Sequence, residues 1–108
     1  MRSRSLFIIN RVTLIALFVV LIGSAVQVTP VYAASIVVNS NTDAQLSNDG
    51  RCTLREAIVA ANANIRSGAV PGECVAGSSS GVDSISFAAN YTITVGNELP
   101  HITSAMTI

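Results

Sequence analysis

The first 33 residues set the terms for everything after them. Met1–Arg11 carries Arg2, Arg4 and Arg11 without an acid, the apolar stretch Val12–Val28 follows, and no charge returns until Asp43. Pro30-Val31-Tyr32-Ala33-Ala34 closes the stretch, with Val31 and Ala33 suited to a signal-peptidase cut between Ala33 and Ala34. A basic head, an apolar middle and a small-residue end predict a signal peptide over 1–33 and a mature region over 34–108. A retained transmembrane anchor fits less well. The apolar run is at or under the lower limit for a spanning helix, and Gly23 and Pro30 lie near its end. The mature region is then expected outside the cell or at its surface, with no stable membrane span. Of the 108 residues, 75 remain to build a domain, with about 20 large apolar side chains among them. A core of that size is marginal without a covalent staple.

Charge divides at the same boundary. The chain is neutral as a whole, but residues 34–108 hold Arg51, Arg55 and Arg66 against Asp43, Asp49, Glu56, Glu73, Asp83 and Glu98. Three arginines cannot make a phosphate-tracking stripe, so nucleic acid is excluded as a partner. Cys52 and Cys74 are the only cysteines, and an even number in an exported chain predicts a disulfide. The loop it would close stabilises by about 3 kcal/mol on chain-entropy grounds. Cys52 as a helix-start nucleophile is the rival reading, but nothing in the sequence places the only histidine, His101, beside it. Two cysteines and one histidine fall short of four zinc ligands. No catalytic residue, cofactor or metal is therefore expected.

Thr53-Leu54-Arg55-Glu56 has the form of a capping box, Thr53 accepting from the Glu56 amide and Glu56 reaching back. Leu54, Ala57, Ile58, Ala61 and Ile65 follow at the spacing of one apolar helix face, and Gly68 with Pro71-Gly72 is expected to stop the run. Arg55, Val59, Asn62 and Arg66 form the opposite face, expected to meet solvent. Arg55 and Glu56 make a poor catalytic pair, because adjacent helical side chains diverge by about 100°.

Elsewhere the pattern is β. Ser35–Asn39, Asp83–Phe87, Tyr91–Val95 and Ile102–Ile108 each read as short strands, with Ile85/Phe87, Tyr91/Ile93/Val95 and Met106/Ile108 facing inward. Their compact spacers lack paired hairpin turns. An antiparallel sandwich fits the periodicity equally well, but Ile108 falls inside an apolar strand that would leave an open edge. The expectation is a mainly β chain: the start of a parallel β-helix, a solenoid, with one amphipathic capping helix, and a fragment of a longer protein.

Three further patterns lead nowhere firm. Asn39, Asn41 and Asp43 alternate like the first calcium-loop ligands, but Ala44 replaces the required glycine and Gly50 the final glutamate. A looser calcium site on Asp43 and Asp49 is outweighed by a plain polar turn. Asn90-Tyr91-Thr92 matches a glycosylation acceptor, meaningful only in a host with that machinery. Ser78-Ser79-Ser80-Gly81 lacks a nucleophile-elbow frame.

Cys52-Thr53-Leu54-Arg55-Glu56-Ala57-Ile58, followed by Ala60-Ala61-Asn62-Ala63, resembles the CSLREA motif of the domain family named for it. Thr53 stands where the name has Ser, which preserves the cap. Ile36–Asn39, Asp83–Phe87 and Tyr91–Val95 are similar to the flanking strands of that family, and the resemblance spans residues 35–108. It implies an N-terminal module of exported bacterial proteins, placed ahead of right-handed parallel β-helix repeats of the pectate-lyase type. The expected function is a non-catalytic capping or structural module, with an adhesive role as its extension. Leu54, Ala57, Ile58 and Ala61 would plug the end of the β-helix. The partners implied are downstream coils of the same chain and extracellular glycans or cell surfaces. The alternative is the first piece of a polysaccharide lyase or hydrolase whose active site lies on later coils, a reading that rests on fold analogy alone.

Overall fold

Four short elements carry the fold of the described residues. In a computed structural model describing Val28, Pro30 and residues 32–108, the order is β1 (Ser35–Val38), α1 (Leu54–Ala63), β2 (Asp83–Phe87) and β3 (Met106–Thr107). The basic head and apolar run of the expected signal peptide lie outside the described residues. No helix among the described residues is long and apolar enough to cross a membrane.

The strands form one three-stranded parallel sheet in the order β1-β2-β3. Ile36 pairs with Ile85 and Val38 with Phe87, while Asp83 pairs with Met106. Alternation sends Ile36 and Val38 to the buried side and leaves Ser35 and Val37 exposed. Ile85 is buried, but Phe87, one pleat further on the same side, is 41% exposed. The buried side meets α1: Ile36, Val38 and Ile85 share one core cluster with Ala57, Ile58, Ala60, Ala61 and the two cysteines. Leu54, Tyr91, Leu99 and Met106 pack around its rim. The large aliphatic side chains fully inside are few, and the alanines let helix and sheet approach closely.

The helix starts and stops for identifiable reasons. Thr53 is an extended N-cap, its hydroxyl accepting from the Glu56 amide at 3.2 Å, while the Glu56 carboxylate accepts from the Thr53 amide at 3.0 Å. The stop comes earlier than Gly68: Asn64 adopts the left-handed conformation at φ 56° and donates its amide to the Ala60 carbonyl. A carboxamide residue tolerates that conformation best after glycine. Ile65 therefore leaves the apolar face and is 66% exposed.

The β-helix expectation is corrected by the sheet. Among the described residues no coil closes and no solenoid forms; the arrangement is one helix laid on one small parallel sheet. Tyr91–Val95 forms no strand, and the run Ile102–Ile108 contributes only Met106–Thr107. The carbonyls of Asn97, Glu98 and His101 and the amides of Thr103 and Ser104 bond instead to Arg55 and Asn62 on α1, which takes this segment away from a strand ladder. The helix apolar residues accordingly pack on the sheet face and do not plug a bore.

Cys52 and Cys74 are joined, 22 residues apart, and both are buried. A loop of this length is worth about 3 kcal/mol in the chain-entropy account.

Candidate functional site

The buried and half-buried charged side chains are spent on the chain itself. At the helix start, Glu56 is 2% exposed, and its two oxygens accept from the Leu46 amide at 2.7 Å and the Thr53 amide at 3.0 Å. The Thr53 hydroxyl also donates to the Ala44 carbonyl at 2.7 Å. The capping box thus holds the 44–46 loop as well as the helix. Asn39, at the end of β1, exchanges two bonds with Cys52: its carboxamide oxygen accepts from the Cys52 amide, and its own amide donates to the Cys52 carbonyl. The same carboxamide donates to the Gly72 carbonyl at 2.7 Å. Strand end, helix start and cystine loop converge on that one side chain.

On the helix face expected to meet solvent, Arg66 is exposed, but Arg55 and Asn62 prove to be anchors. Arg55 forks onto both oxygens of Asp43 at 3.0 Å and reaches the carbonyls of Asn97 and Glu98 at 2.9 and 2.7 Å. Asp43 accepts in addition from the Gly96 amide at 2.9 Å. The Arg55 hydrogen bonds, then the Gly96 amide, hold the Asp43 carboxyl below its ordinary value against the opposing effect of desolvation. Two turns on, Asn62 donates to the His101 carbonyl and accepts from the Thr103 and Ser104 amides. Arg55 and Asn62 together fasten residues 96–104 along the helix. Arg55 and Glu56 diverge, one to this strap and the other to the capping loop.

Two more carboxylates act as knots. Glu73 accepts from the Ser67 hydroxyl at 2.7 Å and the Gly50 amide at 2.9 Å. The Ser67 hydrogen bond, with help from the Gly50, Asp49 and Asn48 backbone, pulls its carboxyl below the usual range although burial acts to raise it. Asp83, 1% exposed, accepts from the amides of Ala34 and Ser78, joining the start of β1 to the loop before β2. No buried side-chain nitrogen or oxygen among the described residues lacks a partner.

Asp43 is paired with Arg55, and Asp49 accepts from the Arg51 amide. No group of three His, Cys, Asp or Glu among the described residues could hold a metal. His101 stands 3.7 Å from Glu98 with both side chains more than 80% exposed, away from the cystine. A cleft of about 240 Å³ opens beside α1, walled by Val59, Ala63 and Ile65 and rimmed by Gln45, Ser47, Arg66 and Ser67. Glu56 also lines it, but both its oxygens serve backbone amides. Asn90 is exposed.

Sequence reasoning overlooked Asn39, Asp43, Asn62, Glu73 and Asp83 as organising groups. One signal was available: residues 34–108 hold twice as many acids as arginines and few strand patterns, so acceptors are at hand for loop amides. No protein-family model, curated protein or solved structure matches the chain.

Proposed function

We propose that residues 34–108 form a non-catalytic structural module of a secreted or cell-surface protein, related to the CSLREA domains and delivered by the signal peptide at 1–33. One observation carries this reading. Arg55, Asp43, Glu56, Glu73 and Asp83, the charged side chains of 34–108 that are buried or half-buried, are bound to backbone amides and carbonyls of their own chain. A side chain that orders a loop in this way is positioned to stabilise, and its proton and charge are not at the disposal of a ligand. The buried cystine is compatible with an oxidising, extracellular setting. The role in the parent protein is to present an ordered, covalently closed unit to adjoining chain or to the cell surface.

The test is export of the chain from its own leader. Arg55→Ala or Glu56→Ala is expected to lower the intact protein recovered outside the cell several-fold, because loosened modules are degraded. Alanine at exposed Arg51, Arg66, Glu98 or His101 should leave recovery unchanged. Product release from a panel of acidic polysaccharides, abolished by one of those surface substitutions, would overturn the reading in favour of an enzyme.

A further inference from the structure

We infer that oxidation of Cys52 and Cys74 is the event that folds this chain, so that the module is unstructured while its thiols are reduced and ordered once they are joined. Two features of the architecture carry this beyond the ordinary expectation that a disulfide stabilises. The core is small: Ile36, Val38, Ile58 and Ile85 are its large aliphatic members, and the rest is alanine and the cystine itself. Nine large apolar side chains of residues 34–108, Leu46, Ile65 and Ile108 among them, are exposed instead. An apolar interior of this size leaves a folding constant that a modest factor can bring to one.

The cross-link also sits where the loss would be felt by the whole module. Cys52 immediately precedes the N-cap of the only described helix; its amide donates to the carboxamide oxygen of Asn39, just after β1, and its carbonyl accepts from the Asn39 backbone amide. Cys74 ends the segment 64–74, which follows α1 without regular structure and is otherwise tied to the chain before the helix by the Glu73 knot and bonds to Asn39 and Asn48. Those ties are polar and require the loop to be in place already, whereas the cystine brings it there. Closing 22 residues multiplies the folding constant by roughly 300.

The chemistry is thiol–disulfide exchange with a small-molecule or protein disulfide as oxidant. One cysteine thiolate attacks a sulfur of that disulfide, expelling one thiolate and forming a mixed disulfide. The second cysteine, deprotonated, attacks the mixed disulfide and expels the other thiolate. Two cysteine thiols are oxidised by two electrons, and the oxidant leaves as two thiols. The consequence is compartmental: a reduced, unfolded chain suits translocation, and order follows arrival where thiols are oxidised.

The test uses the full chain, oxidised and then reduced with a phosphine, following amide-exchange protection of Ala57–Ala61 in α1. Reduction should lower that protection by about 100-fold or more and abolish the cooperative melt. Adding glutathione disulfide should restore both. The double variant Cys52→Ser/Cys74→Ser should be unfolded with or without reductant, and the reversible arm separates this from damage caused by the substitutions. Loss of less than about tenfold on reduction, failure of glutathione disulfide to restore protection, or a folded double variant would each overturn the inference.

Discussion

Removing the Glu56 carboxylate tests the central claim that buried acids hold the loops of this module. Glu56→Ala deletes the acceptor for two amides, Leu46 and Thr53, in a site only 2% exposed. Leaving a buried donor unsatisfied costs about 1–3 kcal/mol, and the bonds lost are of the stronger, charge-assisted kind. Relaxation that lets water reach the Leu46 amide, in an exposed loop, offsets part of this. The net expectation is a loss of about 2–4 kcal/mol, which is most or all of what a core this small supplies. Glu56→Gln keeps one carbonyl oxygen but turns an amino group toward the second amide, so it should fall between wild type and alanine. Urea unfolding of the oxidised full chain, followed by circular dichroism, reads the effect directly. With a slope of about 1 kcal/mol per molar for so small a domain, the alanine midpoint should move down by about 2 M or more. A shift below about 0.5 M would place Glu56 with ordinary surface residues and refute the reasoning.

Other expectations follow from the same geometry. Thr53→Ser should cost about 1 kcal/mol, the value of a buried methyl, while Thr53→Val should cost more because the bonds to Glu56 and Ala44 go; equal melting of the two variants would refute the double role of the hydroxyl. Arg55→Met should free residues 96–98 and raise protease cleavage between 95 and 104 by about tenfold, with Asn62→Ala acting on the 101–104 half of the same strap. Gly72→Ala places a Cβ into the Gly50 carbonyl at a residue with φ 94°, so it should cost about 2 kcal/mol or more, read as a lowered melting temperature. Asp43 and Glu73 have folded-state carboxyls depressed below their unfolded values, so their stabilisation is present above about pH 4.5 and lost as pH falls through the lowered values. The melting temperature should decline on acidification below that point, and Asp43→Asn should flatten the decline.

The local chemistry was legible in the sequence. A threonine, a glutamate three residues later and a spaced run of Leu54, Ala57, Ile58 and Ala61 are enough to start a helix and choose its buried face, because capping and amphipathicity act within a few residues. Ser35–Val38 and Asp83–Phe87 announce strands by their alternation. Two cysteines, an even number, announce a staple. Beyond these local signals, tertiary placement decided the outcome. Tyr91–Val95 has the same alternation as β2 yet forms no strand, and residues 96–104 bond to Arg55 and Asn62 of a helix more than thirty residues away. Alternation records which side chains suit a pleated surface, but not whether a neighbouring strand is present to receive the backbone. The roles of Asp43, Glu73 and Asp83 were hidden for the same reason: a carboxylate in a polar loop reads as solvated until the amides it accepts from are brought to it from distant parts of the chain.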